Sequence, residues 1–467
     1  INMYHNRRIT KKLEQYIPAA KIFEKFSQEA GIAFLDSSLI NELGQYSIIG
    51  RKPYEILKKE QGQFFQNGSL RTDTTFEAYL KRYLQDHVDE NELDIPMGSG
   101  AIGYLSYEYG RELMGIDSME KDPCPIPEAL FTFYDLLIVE DCKKKEIYLS
   151  ACGMTEDAQE LLDRTRQEIL RLQVKEQTEL QGEEDAAWKA VQMPYKIKVT
   201  PNFEKEEYKQ AVDQMIQYIR EGDIYIANMT QRLEVESEKA PLDVFVALRK
   251  NNPSPFGGYL DFGDYQIVCA SPERFLKMKD RHVNTRPIKG TRKRGVTSEE
   301  DEMLRRELQD SGKDKSELLM IVDLERNDLN RVCTPGSVKV TELFTVEAYA
   351  TVFHLVSDIE GKLEEGKNVM DLLEAAFPGG SITGAPKYRA MEIIDELEHG
   401  KRNLYTGSIG YLTLDGSCDF NIVIRTALHK NGKYHLGVGG GITAESDLEF
   451  EYEETLQKAK AILDALQ

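Results

Sequence analysis

In the stretch TRPIKGTRKRG, residues 285–295, Lys289 lies between a rigid backbone segment before it and a flexible one after it, and basic residues lie on both sides. Pro287 fixes its backbone dihedral and removes a backbone donor, whereas Gly290 permits positive φ directly after the lysine. On a short turn of this kind, like charge and partial desolvation favour the uncharged amine. The stretch therefore predicts a lysine that acts as nucleophile or base.

Two other interpretations of this stretch are a solvated basic loop and a nucleic-acid contact. The chain carries 80 acidic against 59 basic residues and a net charge of −21, which disfavours nucleic acid and anionic membranes. The lysine becomes a strong site candidate only if other segments supply acids and anion-binding groups.

The composition is that of an ordinary globular protein, with 467 residues of which 41% are hydrophobic. Its six cysteines are scattered without a CxxC pair, which is typical of reduced thiols and not of a zinc site. No apolar run approaches the roughly 20 residues of a membrane helix, and the N-terminus lacks the apolar region of a signal peptide. We therefore expect a cytoplasmic protein.

Short apolar runs alternate with turns over residues 1–172 and 196–467, and a polar, aperiodic stretch at 173–195 is interpreted as a linker between these two regions. The second region is predicted to begin with a helix capped by Thr200 and to include a strand over Phe420–Ala427. Long helices interrupt the strands without regular alternation. The prediction is an α+β fold with large, mainly antiparallel sheets.

Two pairs of acids lie at helical spacing far apart in the chain: Asp314 with Glu317, and Glu451 with Glu454. Residues three or four apart share one helix face, and Lys458 lies one turn beyond Glu454. Together the pairs supply the oxygen ligands that Mg²⁺ takes beside water and an anionic substrate. Each pair alone would more often be a solvated helix face.

Three features are typical of an anion-binding site. The glycine-rich loop 377–387 leads into a helix whose free amides bind carboxylates or phosphates, although it fails the P-loop pattern. Arg425, predicted to lie in a strand, can grip a carboxylate with two hydrogen bonds. Three glycines at 439–441 let the backbone approach a ligand. A tight turn with an internal salt bridge stays open as the alternative.

Glu273 and His354 complete the candidates. Glu273, in the sequence SPERF, precedes Lys289 by sixteen residues and is a candidate general acid or base. His354 is flanked by apolar residues and on its own would more often be structural. The sum of these features predicts a site for a small polycarboxylate.

These segments resemble, in order, the motifs of the chorismate-utilising enzymes, and the resemblance covers nearly the whole chain. It is densest from about 200 to 460, in these segments: Ser271–Phe275, Arg286–Thr291, Ile321–Leu329, Pro378–Lys387, Tyr405–Gly407, Asn421–Thr426 and Glu451–Thr455. The resemblance implies two large sheets flanked by helices, with the active site between the sheets.

Within this family, the branch that makes 4-amino-4-deoxychorismate carries lysine at the position of Lys289, and the branch that makes anthranilate carries alanine. Isochorismate synthases place a lysine at the position that matches Ile226, which cannot activate water. The resemblance implies amination at C4 with the enolpyruvyl group intact, for 4-aminobenzoate and folate biosynthesis. Anthranilate formation is the alternative, and a regulatory subunit without turnover is disfavoured by the retained acids and nucleophile.

The resemblance also implies roles for the catalytic candidates. Lys289 would attack C2 of chorismate while the C4 hydroxyl leaves, Glu273 would act as general acid, and His354 would lie near the leaving hydroxyl. Ammonia would then displace the lysine by attack at C4. Ile226 departs from the glutamine that is common in the aminating enzymes, which would alter packing beside the substrate.

For the metal and the substrate, the resemblance implies two sets of ligands. Glu317 and Glu454 would hold Mg²⁺, while Asp314 and Glu451 would hold its waters; Asp314 departs from the usual glutamate. The substrate carboxylates would be bound by Thr383, Gly384, Ala385, Tyr405, Arg425, Gly439, Gly440 and Lys458.

Two further expectations concern regulation and partners. The segments Phe34–Ser38 and Tyr46–Gly50 resemble the tryptophan pocket of the family, with Asp36, Ser37, Ser38, Tyr46 and Ser47 as its candidates, and this pocket is regulatory in some branches and structural in others. No glutaminase-type Gly-x-Cys-x-Gly elbow surrounds any cysteine. The resemblance therefore implies that a separate glutamine amidotransferase subunit, component II, supplies the ammonia.

Overall fold

Antiparallel pairing joins every strand that the structure, a computed structural model, describes. The structure describes residues 8–91, 93–118, 122–179, 195–348 and 352–467, and for residues 173–179 it describes only the backbone. The strands are β1 Ile9–Lys12, β2 Ala33–Asp36, β3 Tyr46–Glu60, β4 Gln63–Gln66, β5 Ser69–Arg71, β6 Gly100–Leu105, β7 Ala129–Asp141, β8 Glu146–Ala151, β9 Lys198–Pro201, β10 Ile226–Glu236, β11 Phe256–Asp261, β12 Tyr265–Ser271, β13 Arg274–Lys279, β14 His282–Thr285, β15 Ile288–Lys293, β16 Lys339–Ala348, β17 Val352–Lys362, β18 Gly384–Ala385, β19 Ser408–Thr413, β20 Cys418–Asn421, β21 Thr426–Lys430 and β22 Lys433–Ile442.

Helices flank these strands. They are α1 Ala19–Phe26, α2 Phe76–Asp86, α3 Tyr107–Met114, α4 Ala158–Glu179, α5 Lys205–Glu221, α6 Pro241–Asn251, α7 Ser298–Asp310, α8 Gly312–Asn330, α9 Val369–Ala376, α10 Lys387–Leu397 and α11 Leu448–Leu466, with a 3₁₀ turn at Gly380–Ile382. No helix in the described part of the chain is long and apolar enough to cross a membrane.

The strands follow two paths of pairing. One path runs β1–β8–β7–β3–β2–β11–β12–β21–β22–β10, and β9 and β18 both pair with β10. The other runs β6–β19–β20–β13–β14–β17, and β15 and β16 both pair with β17. The pairing of β6 with β7 joins the two paths. The prediction of large antiparallel sheets is confirmed.

Apolar side chains from both paths form one of the cores. Leu137 of β7, Ile267 of β12 and Ile409 of β19 are buried in the same cluster. Within it, the hydroxyls of Tyr104 and Tyr265 are hydrogen bonded at 2.6 Å. This bond matters because a buried hydroxyl without a partner destabilises the fold by about 1–3 kcal/mol. A second core contains apolar residues of α1, α4, α6 and α11, and a third contains residues of α2, α8 and α9.

Strands from the two predicted regions pair with one another. Phe34 of β2 lies opposite Tyr259 of β11, and Tyr104 of β6 lies opposite Ile409 of β19. The division at 172 and 196 stays a prediction. The proposed linker at 173–195 falls mostly on residues 180–194, outside the described residues, and α4 extends to Glu179.

The predicted cap at Thr200 is wrong. Thr200 belongs to β9 and pairs with Glu234 of β10, so its backbone is extended by sheet hydrogen bonding. Helix α5 begins later, at Lys205, where Glu204 and Glu207 form a reciprocal capping box. A carboxylate caps a helix N-terminus as well as a hydroxyl does, because it accepts the free amides there.

Candidate active site

A cavity of about 500 Å³ opens between β15, β22, α8 and α11. Segments that are distant in the chain meet around it. Of the candidates from the sequence, it is lined by Glu273, Lys289, Asp314, Glu317, His354, Tyr405, Arg425, Gly439, Gly440, Glu451, Glu454 and Lys458. The fold thus assembles most of the predicted site, while the role of each residue stays a prediction.

Lys289 lies on a strand, so the predicted short turn is wrong. It pairs with Leu355 of β17, and the register shifts directly after it. Gly290 has φ 74° at this shift. A Cβ on Gly290 would stand 2.8 Å from both Cγ of Asp314 and Cδ1 of Leu308. Only glycine lets the bulged strand pass this close to the helices beside it.

The cations beside Lys289 are paired with acids. Arg286 donates to Asp358 at 2.6 Å. The other pairs are Arg286 with Glu342 and Glu347, Arg292 with Glu307 and Asp314, and Arg294 with Asp301. These acids reduce the repulsion that the sequence alone would place on Lys289, so the basic run is largely neutralised.

The amine of Lys289 lies in a corner of the cavity. Nζ donates to the backbone oxygen of Ser381 at 3.1 Å. A Cβ on Gly441 would lie 3.6 Å from Nζ of Lys289 and 3.7 Å from Oε2 of Glu317. Cδ1 of Ile226 lies 3.4 Å from the same point. The absence of a side chain at 441 therefore leaves room around the amine, and Ile226 closes the corner with an apolar group.

Glu273 is buried in the wall of the cavity, between β12 and β13. Burial raises the pKa of its carboxyl, and a hydrogen bond with Ser381 and the charge of Lys289 oppose this shift. A raised pKa keeps the carboxyl protonated at higher pH than an ordinary glutamate. Such a group can donate a proton to a leaving group.

His354 projects from β17 and its Nδ1 is hydrogen bonded with Oγ1 of Thr291 at 3.0 Å. Burial, helped by the positive charge of Arg425, lowers the pKa of His354 to about 4. The imidazole is therefore uncharged at neutral pH, which suits a hydrogen-bonding partner for a hydroxyl better than a cationic group.

Arg425 does not lie in a strand, which corrects the prediction. Strand β20 ends at Asn421 and β21 begins at Thr426, because the chain crosses there from one path of pairing to the other. Arg425 adopts φ 49° in this crossing. Its guanidinium faces the cavity and forms no ion pair with any described residue, and the surrounding protein lowers its pKa. An unpaired cation in such surroundings is a strong anchor for a carboxylate.

The acids of α8 and α11 lie at the other side of the cavity. Burial raises the pKa of Glu317 and of Glu451, and Glu454 adds to both shifts. Lys458 lies 3.3 Å from Glu454, and Ser446 donates to Glu451 at 2.7 Å. Carboxylates that destabilise one another in this way are stabilised by a cation.

Among the described residues, no group of three His, Cys, Asp or Glu is placed closely enough to hold a metal ion by itself. The oxygen donors nevertheless fit Mg²⁺, which keeps several waters and binds one or two carboxylates together with an anionic substrate. A Cβ on Gly440 would stand 2.6 Å from Oε2 of Glu454 and 3.3 Å from Oε2 of Glu451. Gly440 therefore has no side chain at the place where the carboxylates of Glu454 and Glu451 approach the backbone.

Thr383, Gly384 and Ala385 are the candidates that the cavity does not include. Oγ1 of Thr383 donates to the oxygen of Gly379 at 2.9 Å, and Gly384 and Ala385 pair with β10. Ser381 and Ile382 line the cavity in their place.

Sequence reasoning also missed Lys313, although its spacing of four from Glu317 was a signal, and the two lie 3.9 Å apart.

Three of the five candidates for the tryptophan-like pocket line a separate small cavity. It has a volume of about 60 Å³, and Asp36, Ser37 and Tyr46 are among its lining residues. Asp36 forms an ion pair with Arg249 at 2.9 Å. Ser37 donates to the oxygen of Tyr46, Ser47 donates to Asp36, and Ser38 donates to the oxygen of Ser254. The binding of tryptophan stays a prediction.

The cavity thus brings together the amine, the buried acid, the imidazole and the arginine that the sequence analysis predicted for a polycarboxylate site. The chain belongs to the family described as chorismate binding enzyme, whose model matches residues 39–464.

Two relatives show the breadth of this family. The chain is 37% identical to anthranilate synthase component 1 from Acetivibrio thermocellus, over 96% of this chain and 92% of the relative. It is also 37% identical to aminodeoxychorismate synthase component 1 from Bacillus subtilis, over 91% of this chain and 90% of the relative. Overall identity therefore does not separate the two reactions.

Solved structures confirm the predicted fold. Anthranilate synthase component I from Streptococcus pneumoniae TIGR4 matches with a TM-score of 0.79 and 33% identity, over 91% of this chain and 93% of that chain. The isochorismate synthase MenF from Escherichia coli matches with a TM-score of 0.72 and 18% identity, over 99% of this chain and 94% of that chain. The similarity to MenF shows the fold alone.

Proposed function

We propose that the chain is an aminodeoxychorismate synthase component I, which converts chorismate and ammonia to 4-amino-4-deoxychorismate for 4-aminobenzoate and folate biosynthesis. The observation that carries this proposal is the place of Lys289, whose amine lies in the cavity with the buried acid Glu273. Alanine at this position would leave the corner without a nucleophile.

The proposed reaction has two displacement steps. The amine of Lys289 attacks C2 as the bond from C4 to its hydroxyl breaks, and Glu273 donates a proton so that water leaves. Ammonia then attacks C4, the bond between Lys289 and C2 breaks, and the new amino group loses a proton that returns Glu273 to its acid form. The net change is chorismate plus ammonia to 4-amino-4-deoxychorismate plus water, with the enolpyruvyl group retained.

The remaining cavity residues bind and orient the substrate in this proposal. Arg425 and Lys458 pair with the carboxylates, and Tyr405 and the backbone at Gly439 and Gly440 complete their binding. The uncharged His354 hydrogen-bonds near the leaving hydroxyl. All these groups line one cavity of about 500 Å³, a volume that is typical of small-molecule sites.

Mg²⁺ is proposed as the cofactor, held by Glu317 and Glu454, with Asp314 and Glu451 holding its waters. The ion, when bound, would neutralise a substrate carboxylate. Burial, together with the nearby charge of Glu454, raises the pKa of Glu317 and of Glu451, and a bound cation would offset both effects.

The ammonia donor is proposed to be a separate glutamine amidotransferase subunit, as the component 1 in the names of the relatives suggests. A cytoplasmic location is proposed as well. It is supported by the six cysteines, which are all free and buried thiols.

Anthranilate synthesis is the second candidate, because a relative of that name is as similar as the aminodeoxychorismate synthase. The full chain would be incubated with chorismate, Mg²⁺ and an ammonium salt, and released pyruvate would be measured against amino product. We expect product without pyruvate, and loss of that product in Lys289→Ala with a shift toward anthranilate. Pyruvate in equal amount to product would reject the proposal in favour of anthranilate synthesis.

A further inference from the structure

A second cavity, of about 570 Å³, adjoins the candidate active site. Tyr405 and Gly437 line both cavities. A Cβ on Gly437 would stand 2.1 Å from Cγ of Tyr405, so the tyrosine ring lies directly on the backbone of β22. One aromatic ring and one strand therefore separate the two cavities at this point, and the rest of the second cavity has a wall of its own.

Most of this wall is apolar. Its aliphatic side chains are those of Leu233, Leu404, Val423, Leu428 and Leu436. Ligand cavities typically measure about 300–1,000 Å³ and combine apolar walls with a few polar groups that orient the ligand. The second cavity thus has the size and the surface of a small-molecule site.

Three charged side chains belong to the wall, with histidine counted as uncharged: Arg232, Glu234 and Arg402. Glu234 is paired with Lys433 at 2.5 Å. Arg402 is paired with the buried Glu398, because Nε and Nη2 of Arg402 donate to its two carboxylate oxygens at 2.9 Å and 2.6 Å. Each of these two pairs is neutral, so Arg232 decides the charge of the wall.

Arg232 has no carboxylate of its own. Besides Arg402, the amide and the hydroxyl of Thr230 donate to Glu398, at 2.9 Å and 2.8 Å. Nη1 of Arg232 lies 3.7 Å from the same carboxylate, which is too long for a hydrogen bond. This Nη1 is buried and makes no hydrogen bond with any described residue, while Nη2 donates to the backbone oxygen of His399 at 2.5 Å.

The wall therefore has one positive charge in surplus, since two arginines share the single carboxylate of Glu398. Burial lowers the pKa of Arg232, and the charge of Arg402 adds to this shift while Glu398 opposes it. Buried N–H groups normally have a hydrogen-bond acceptor, and Arg232 lacks one for Nη1. An anion in the cavity would supply both the missing acceptor and the missing charge.

One surplus charge beside an aliphatic wall favours a ligand with one negative charge and an apolar body. A phosphate or a dicarboxylate would bring further charge against the aliphatic side chains without a partner for it, which is unfavourable. We propose that the second cavity binds a small apolar monocarboxylate, whose carboxylate pairs with Arg232 and whose body packs against the aliphatic side chains. The proposal does not depend on which amino product the chain makes.

The test is a calorimetric titration of the full chain with 4-phenylbutanoate and with its uncharged isostere 4-phenylbutanamide. We expect saturable binding of the carboxylate and about tenfold weaker binding of the amide, because only the carboxylate pairs with Arg232. The two probes share their apolar body, so the difference between them reports the contribution of the charge.

Two arginine variants locate the carboxylate. Arg232→Gln should weaken the binding of 4-phenylbutanoate about tenfold and abolish the preference over the amide. Arg425→Gln is the matched control, because Arg425 is the arginine without an ion pair in the other cavity, and it should leave the binding of both probes unchanged. The midpoint of thermal unfolding without ligand, measured for each variant, shows that the variant is folded.

Two variants on β9 test the place of binding without changing a charge. Thr200 is exposed and lines the cavity, so Thr200→Trp should narrow its opening and weaken the binding of 4-phenylbutanoate about tenfold. Val199→Trp is the control, because Val199 is also exposed on this strand but does not line the cavity.

Four results would overturn the inference. The absence of saturable binding would remove the site, and equal binding of the two probes would remove the carboxylate as the recognised group. Binding that survives Arg232→Gln and is lost in Arg425→Gln would place the ligand in the candidate active site. Equal effects of the two tryptophan variants would show that the ligand does not enter the second cavity.

Discussion

Oε2 of Glu454 lies close to the bare backbone of Gly440, since a Cβ on Gly440 would lie 2.6 Å from this oxygen. At Gly441, the nearest atoms would be 3.4 Å or more from an added Cβ. The two adjacent glycines thus leave room for different groups: Gly440 for the carboxylate of Glu454, and Gly441 for the amine of Lys289.

Gly440→Ala is expected to displace the carboxylate of Glu454 and weaken the response to Mg²⁺. The half-saturating Mg²⁺ concentration should rise about tenfold, which corresponds to about 1.4 kcal/mol. Gly312→Ala is the matched control, because nothing lies within 4 Å of the Cβ that it adds. The reaction rate would be measured against Mg²⁺ concentration at saturating chorismate. Equal curves for both variants would show that Gly440 does not affect the position of Glu454.

Glu273→Gln is expected to lower kcat by about 10²–10⁴-fold, the usual contribution of a general acid. Because burial raises the pKa of Glu273, the wild-type carboxyl stays protonated beyond the ordinary range and its contribution falls as pH rises through that pKa. The fall of kcat on the basic side of the pH profile should therefore be absent in the variant. A variant that keeps the wild-type limb would show that another group titrates there.

Arg425→Ala should raise KM for chorismate about 10–100-fold, because loss of a charge-assisted hydrogen bond weakens binding by about 1.5–3 kcal/mol. Arg425→Lys should restore only part of this, since a lysine cannot bind a carboxylate with two parallel bonds. The midpoint of thermal unfolding should not fall in either variant, because Arg425 forms no ion pair with a described residue. A large loss of stability with unchanged KM would make Arg425 structural.

Glu325 predicts a pH dependence of stability. Burial raises its pKa to about 8 from 4.5, so the folded chain keeps a proton that the unfolded chain releases between these values. The contribution of Glu325 to stability is complete below pH 4.5 and is lost as pH rises toward 8, by about 1.4 kcal/mol for each pH unit.

Glu325→Gln should remove this slope and be more stable than the wild type at pH 8, because glutamine stays uncharged and still hydrogen-bonds Thr285. The free energy of unfolding in urea would be measured for both proteins at pH 5, 6.5 and 8. Parallel pH curves for the two proteins would contradict the raised pKa.

The sequence predicted which residues lie around the cavity better than it predicted the local structure of some of them. Asp314, Glu317, Glu451 and Glu454 lie on helices as predicted, because helical spacing is a local property. Lys289 is different, since its extended backbone depends on pairing with Leu355, far away in the chain.

Two other features depend on contacts that local patterns do not contain. The acid that neutralises Arg286 is Asp358, 72 residues away. The break that positions Arg425 depends on two sheet partners, of which one pairs with β20 and the other with β21. The sequence Phe420–Ala427 by itself predicts one continuous strand, so the crossing between the two paths could be found only from the structure.

The most direct test of the account is the position of the new nitrogen. The full chain would be incubated with chorismate, Mg²⁺ and ¹⁵N-labelled ammonium, and the product would be analysed by NMR and mass spectrometry. The account predicts ¹⁵N bonded to C4, with the enolpyruvyl group intact and no pyruvate released, and no such product from Lys289→Ala. Nitrogen at C2 with release of pyruvate would contradict it.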